Sequence, residues 1–498
     1  MNAQSPCPPF HPALSRLRDP GLLRSLAYVD GRWTAAADAQ DFVVTDPASG
    51  GVLARVAALG AAETDRAIAA AIAAFPAWRD RLPQDRGAIL RRWAALMIEA
   101  REDLALLMTL EQGKPLAESR GEIDYAASFL DWYADEGKRL NVESVTSHLP
   151  HAEMLVRREA LGPVAIVTPW NFPSAMITRK ASAALAAGCT VVAHPSSETP
   201  LSALALAELG ERAGLPAGSF NIVTGDAATI VGRLATAPGL RALSFTGSTG
   251  IGQRLAGQCA PTMKRLVLEL GGHAPVLIFA DADIDRAVDI AMAAKFATSG
   301  QDCLAANRIY VERPLAARFT AALARRVAAL KVGSGLDERV EIGPLMHERA
   351  VAKVAAQVAD AMARGAILVT GGGRHPAGPL FHAPTVLADV PDTALIMQDE
   401  TFGPVAAIAT FDSEAEVIAR ANATDYGLVA YVVTQNGARQ LRLARALEFG
   451  MVAVNRVKIT GAPIPFGGWK QSGLGREGAR QGIEAFTELK YICIDTAA

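Results

Sequence analysis

The sequence predicts an α/β protein whose first half is a doubly wound parallel sheet, and three observations carry that prediction. From Leu161 onward, strand-like apolar runs (Val164-Ala165-Ile166-Val167, Thr190-Val191-Val192-Ala193, Phe220-Asn221-Ile222-Val223 and Ala242-Leu243-Ser244-Phe245) alternate with helical stretches such as 174–187 and 200–213. This is the pattern of βαβ units, which bind ligands outside the carboxyl ends of their strands. Pro169, Pro195 and Gly247 each fall just after a strand, where such a ligand would sit. A second alternation then runs from Asp281 to about Thr460, with helices near 283–298, 314–330 and 349–364 and strands at Ala366-Ile367-Leu368-Val369 and Tyr431-Val432-Val433. A chain of 498 residues has material for more than one such core.

The elements follow in order. Met1-Asn2-Ala3-Gln4-Ser5-Pro6-Cys7-Pro8-Pro9 has neither the basic nor the apolar segment of a signal peptide, and is expected to be a poorly ordered arm. Val29-Asp30-Gly31-Arg32-Trp33 reads as a strand and turn. Ala and Ile recur at helical spacing over 64–78. From 85 to 110, Ile89, Leu90, Trp93, Leu96, Met97, Leu104 and Leu107 predict one long amphipathic helix, which Gly113-Lys114-Pro115 stops. A further helix covers 123–140. Leu266-Val267-Leu268-Glu269-Leu270 is strand-like and leads into Gly271-Gly272. The last strand, Thr487-Glu488-Leu489-Lys490-Tyr491-Ile492-Cys493-Ile494, has no obvious local partner, and an unpaired edge invites another chain.

Composition excludes several classes. A net charge of −2 gives no electrostatic case for nucleic acid or an anionic membrane. No run of eighteen apolar residues occurs. The five cysteines are far apart and lack the Cys/His spacing for zinc, which suits a reducing cytoplasm and argues against a structural metal.

The chemistry-bearing residues are modest one by one. Cys303, in Gly300-Gln301-Asp302-Cys303, is a candidate nucleophile in a small Gly-flanked turn, or a small core filler. Glu269 is costly to desolvate inside its apolar run unless used as a base or paired with a cation. Asn171, after Pro169-Trp170, is a candidate oxyanion donor or a routine turn residue. Gly247-Ser248-Thr249-Gly250-Ile251-Gly252 opens a helix and suits a pyrophosphate or a plain turn. Glu400 can hold a ribose diol or cap a loop. A GxGxxG at Gly473-Leu474-Gly475-Arg476-Glu477-Gly478 follows polar residues rather than a strand and is set aside.

In order, Pro169-Trp170-Asn171-Phe172-Pro173, Phe245-Thr246-Gly247-Ser248, Leu268-Glu269-Leu270-Gly271-Gly272, Gly300-Gln301-Asp302-Cys303, Glu400-Thr401-Phe402-Gly403-Pro404 and Pro465-Phe466-Gly467-Gly468 resemble the aldehyde dehydrogenase superfamily. The resemblance covers nearly the whole chain from about Val29. Thr109-Leu110-Glu111-Gln112-Gly113-Lys114-Pro115-Leu116, Ile177-Thr178-Arg179-Lys180 and Ser472-Gly473-Leu474-Gly475-Arg476-Glu477-Gly478 narrow it toward the succinate-semialdehyde dehydrogenases.

The resemblance implies Cys303 as nucleophile, Asn171 and the Cys303 N–H as oxyanion donors, and Glu269 as the base that activates water. It implies Trp170, His194, Ser197, Gly247, Ser248, Leu270 and Glu400 around NAD or NADP. It also implies a cofactor domain (29–140 and 159–270), a catalytic domain (271–482) and an oligomerisation element (141–158 and 483–498) after an arm (1–28), in a homodimer or homotetramer. Cys7, Cys189, Cys259 and Cys493 read as structural, and Ala305 leaves no second thiol beside Cys303. Three departures stand out. His194 replaces a lysine that contacts the adenosine ribose, and Ser197 replaces a glutamate of NAD-preferring members, so the choice between NAD and NADP stays open. Arg179 and Thr460 match two substrate-carboxylate ligands, but Ala297 stands at the second arginine position, with Lys458 nearby as a substitute charge. The expected substrate is a short carboxylated aldehyde such as succinate semialdehyde. The alternative is a broad specificity for uncharged aldehydes.

Overall fold

The computed structural model describes residues 10–497, so the expected loose arm at residues 1–9, with Cys7, lies outside it. From Phe10 the chain is tied down. The Arg18 and Asp19 N–H groups donate to the Asp103 carboxylate at 2.9 and 2.8 Å, and Leu17 and Leu22 are buried.

Five parallel strands form the centre of the first sheet: β1 (Val164–Val167), β2 (Val191–His194), β3 (Phe220–Ile222), β4 (Ala242–Thr246) and β5 (Arg265–Glu269). Their spatial order is β3-β2-β1-β4-β5. All but the first two residues of β5 are buried, which is why these strands read as nearly continuous apolar runs. The winding reverses between β1 and β4, which opens a crevice at their carboxyl ends. Antiparallel strands close both edges, Ala27–Val29 beside β3 and Gly473–Leu474 beside β5.

The second sheet has seven strands, with β6 (Ala274–Ile278) and β7 (Ala306–Glu312) side by side within it. Only Leu270, Gly271, Gly272 and His273 separate β5 from β6. The carboxyl end of the first sheet therefore meets the amino end of the second, and the turn before β7 faces the end of β5. Helices α1 (Leu116–Glu136) and α2 (Ala175–Ala187) pack against each other, α3 (Ala227–Thr236) and α4 (Thr249–Cys259) follow β3 and β4, and α5 (Ile284–Phe296) precedes the Cys303 turn.

One expectation needs correction. The single helix over 85–110 is two, Pro83–Glu99 and Arg101–Gln112, broken at Ala100. Glu102 and Asp103 favour a new helix start through the macrodipole, and Asp103 is held by the Arg18 and Asp19 N–H groups. Both helices bury apolar residues, so their spacing hid the break. The C-terminal strand Thr487–Asp495 has no local partner; it pairs antiparallel along its whole length with Ala152–Ala160, far away in sequence and mostly within the 141–158 segment expected beside it. Its other edge is open among the described residues, with Leu489, Tyr491 and Ile494 exposed. No helix among the described residues is long and apolar enough to cross a membrane.

Candidate active site

A cavity of about 1270 Å³ lies where the two sheets meet. Cys303, Glu269 and Asn171 line it, as do Trp170, Gly247, Ser248, Leu270, Glu400, Arg179, Lys458 and Thr460. The approach is close: a Cβ on Gly272 would lie 2.2 Å from the Cys303 carbonyl oxygen, so only glycine fits there.

Asn171 is placed by a clamp. Its side-chain N–H donates to the Gln301 carbonyl at 3.1 Å, which ties the loop after β1 to the Cys303 turn. Its own carbonyl accepts from Lys114 Nζ at 2.6 Å, and Lys114 also pairs with Glu122 at 2.6 Å. Both partners are fully buried. The other Glu122 oxygen accepts the N–H groups of Ser174 and Ala175 at 3.0 and 3.1 Å. Lys114 further sits 4.1 Å from the Phe172 ring centroid.

Glu269 ends β5, is 2 % exposed, and neither carboxyl oxygen has a hydrogen-bond partner. Burial raises its pKa, and the Arg179 charge pulls it part of the way back. Burial also pushes the Cys303 thiol well up, and the carboxylates of Glu269 and Asp302 push it further. Both effects disfavour the thiolate at Cys303. Among the described residues the Cys303 backbone N–H has no acceptor within the chain.

The cofactor fit rests on the crevice. Helix α4 starts right after β4, and its Ser248 cap makes no side-chain bond to the helix, so the cap side chain does not occupy the first-turn N–H groups at this helix N-terminus, where Gly247 and Ser248 line the cavity. Gly252 packs so tightly on Leu270 that a Cβ would meet it at 2.5 Å. Glu400 accepts the Gly272 N–H at 2.9 Å, and burial pushes its pKa up to about 7. The rings of Trp170 and Phe402 meet edge to face, 5.6 Å apart.

Ser197 lines a second cavity of about 750 Å³, at the carboxyl ends of β2 and β3. His194 lines neither cavity. It is buried, its Nδ1 donates to the Val223 carbonyl at 2.8 Å, its Nε2 has no hydrogen-bond partner among the described residues, and burial lowers its pKa.

On the other side of Cys303, Arg179 is already committed. It pairs with the buried Glu477 at 2.5 Å and lies 4.2 Å from the Phe466 ring centroid. Lys180 pairs with the other Glu477 oxygen and donates to Thr246 at 2.6 Å. Burial pushes Glu477 up, but Arg179 and Lys180 outweigh it and hold it below the usual range. Lys458 and Ala297 are both exposed to the cavity, and Tyr125 and Thr460 line it with them.

The Aldehyde dehydrogenase family model matches residues 33–492. The chain belongs to the aldehyde dehydrogenase family. It is 51% identical to the glutarate-semialdehyde dehydrogenase of Pseudomonas aeruginosa and 51% identical to the NADP(+) succinate-semialdehyde dehydrogenase of Escherichia coli, in each case over 96% of this chain and 99% of the relative. It is also similar to the crystal structure of an E. coli NADP dependent enzyme, with a TM-score of 0.95 at 50% identity, covering 96% of this chain and 100% of that one. As a member of this family the protein is an aldehyde dehydrogenase that oxidises an aldehyde to the acid with NAD or NADP.

The aldehyde dehydrogenase site holds residues that sequence reasoning passed over. Lys114, Glu118, Glu122 and Tyr125 all come from the start of α1 and the turn before it, far in sequence from the loops they hold. Glu477 comes from the glycine-rich stretch that was set aside; part of that stretch is the edge strand beside β5, not a dinucleotide loop. Its signal was present in Arg179-Lys180: two cations within the wholly buried α2 require a buried anion.

Proposed function

We propose that Cys303 attacks the aldehyde carbonyl, carried by one observation: Cys303 shares one cavity wall with the buried Glu269 carboxyl and with Asn171, whose amide is tied to the Cys303 turn through Gln301. In this reading the sulfur–carbon bond forms as the thiol proton passes to Glu269. The oxyanion is met by the Cys303 N–H and by the Asn171 amide, whose other N–H is anchored on Gln301. Bound NAD(P) supplies the acceptor for the hydride that leaves the same carbon. Glu269 releases the thiol proton to solvent, and the restored carboxylate then takes a proton from a water as that water attacks the thioester; the carbon–sulfur bond breaks, the sulfur recovers a proton as the Cys303 thiol, and the acid leaves.

The substrate reading is a short aldehyde with a distal carboxylate. Support comes from the semialdehyde-acting relatives and from a polar end to the cavity at Tyr125, Thr460 and Lys458. Since Arg179 is neutralised by Glu477, Lys458 takes the main share of the carboxylate. Ala297 leaves room for a chain longer by a methylene, and it also favours the alternative, an uncharged aldehyde. NAD(P)H formation on succinate semialdehyde, glutarate semialdehyde and acetaldehyde decides. The proposal expects kcat/KM at least about tenfold higher for the two semialdehydes; equal values sink it.

For the cofactor, the reading is a preference for NAD. The smaller cavity carries Asp46, Glu198 and Asp226 and no lysine or arginine, so a 2′-phosphate there would meet only negative charge, whereas a ribose diol would find acceptors. The cofactor, catalytic and oligomerisation divisions follow the two sheets and the three-stranded sheet of Thr487–Asp495. The open edge of that strand is proposed to join copies of this chain, which light scattering would register as a dimer or tetramer.

A further inference from the structure

The turn that presents Cys303 is strained. After α5, Ala297 is extended, and then Thr298 (φ 50°), Ser299 (φ 57°) and Gly300 (φ 74°) are all left-handed. Such a run is free only for glycine, and a β-branched threonine adopts it only when its surroundings impose it. The surroundings here are specific. Glu118, in the first turn of α1, accepts the Thr298 N–H with both carboxylate oxygens at 2.9 and 3.1 Å and the Thr298 hydroxyl at 3.2 Å. Ser299 donates to the Gly343 carbonyl at 3.0 Å. Gln301 accepts the Met346 N–H at 2.9 Å and donates to the Pro344 carbonyl at 3.2 Å. One helical turn further along α1, Glu122 holds the loop of Asn171.

We infer that Glu118 is a positioning residue: its carboxylate holds the left-handed Thr298-Ser299-Gly300 run, and α1 thereby sets Cys303 against Asn171 and Glu269. This rests on Cys303 as the nucleophile. Removing the carboxylate lets the turn relax toward ordinary dihedrals and carries the sulfur away from its partners. A shift of about 1 Å in a reacting group is enough to cost about 100-fold in rate.

The test is a rescue. Glu118→Ala is expected to lower kcat about 100-fold and to slow iodoacetamide alkylation of Cys303, with cofactor affinity by calorimetry unchanged. Glu118→Gln, which keeps one oxygen for the Thr298 N–H, recovers part of the loss. Adding Thr298→Gly removes the penalty for left-handed backbone, so Glu118→Ala/Thr298→Gly returns to within about threefold of Thr298→Gly alone. A role in stability alone would not be rescued at residue 298. Wild-type kcat in Glu118→Ala, or a double variant as poor as Glu118→Ala, overturns the inference. If Glu118→Ala does not fold, the pair in the Thr298→Gly background decides alone: a tenfold difference between them overturns it. Cys303→Ser is run alongside; if that variant turns over normally, it is the nucleophile assignment that fails.

Discussion

Two loops meet at Cys303, and they are fixed by different physics. The loop after β1 that carries Asn171 has no residue with positive φ, and it hangs on a buried ion pair, Lys114 with Glu122. The turn that carries Cys303 is left-handed at three successive residues and hangs on hydrogen bonds given by its Thr298 N–H and its Ser299 hydroxyl. The first loop is costly because charges had to be desolvated to hold it, the second because its backbone is out of its preferred region. Both are tied to α1, so one helix registers the oxyanion donor against the nucleophile. The difference teaches that the amide side tolerates backbone relaxation better than loss of charge, and the thiol side the reverse.

The largest effect belongs to the thiol side itself. Cys303→Ala is expected to abolish turnover by at least about 10⁴-fold, while cofactor binding by calorimetry is unchanged. Residual turnover near the wild-type level would place the chemistry elsewhere.

Glu269→Gln sharpens the comparison because its two consequences have opposite sign. Turnover falls about 10²–10⁴-fold, since no base remains to take a proton. The thiol, however, becomes easier to ionise. In the wild type the Glu269 charge raises the thiol pKa, so removing that charge lowers it, and the thiolate fraction at a given pH below the pKa increases. The pH profile of iodoacetamide alkylation is therefore expected to move to lower pH. A profile that stays put or moves up would mean that the Glu269 charge does not govern this thiol.

Lys114→Met tests the amide side. It strands Glu122 in a buried site and is expected to cost about 3–5 kcal/mol of stability in denaturant unfolding. Glu122→Gln in the same chain removes the stranded charge but keeps an oxygen for the Ser174 and Ala175 N–H groups, so part of the loss returns. A double variant no better than Lys114→Met would show that the pair is not what holds the loop.

The contrast also explains what was legible in the sequence. The cavity residues could be read because each sits in a short local pattern, at a strand end or beside glycines: Glu269 before Gly271-Gly272, Gly247 after β4, Cys303 after Gly300. The supports could not, because each contact closes over a long separation, as Glu118 does to Thr298 and Lys180 to Glu477. The C-terminal strand likewise has its partner, Ala152–Ala160, over three hundred residues earlier, and only the family resemblance grouped the two segments. His194 shows the converse limit. Its position after β2 was read correctly, but sequence could not show that its ring turns to the Val223 carbonyl and away from both cavities.

The smallest effect lies at the far end of the crevice, where no strain and no buried pair is involved. Glu198 accepts a hydrogen bond from Ser196 and lies 3.5 Å from the Ser197 hydroxyl, at the carboxyl end of β2. At this half-buried site, removing one negative charge from beside a 2′-phosphate is worth about 1–2 kcal/mol. Glu198→Gln is therefore expected to tighten NADP+ binding about tenfold in calorimetry and to weaken NAD+ by no more than about threefold. Because Glu198 touches neither loop at Cys303, kcat with saturating NAD+ is unchanged. Equal affinities for the two cofactors in the wild type would sink the NAD preference. A wild type that prefers NAD+ but shows no gain for NADP+ in the variant would move the discrimination to Asp46 or Asp226.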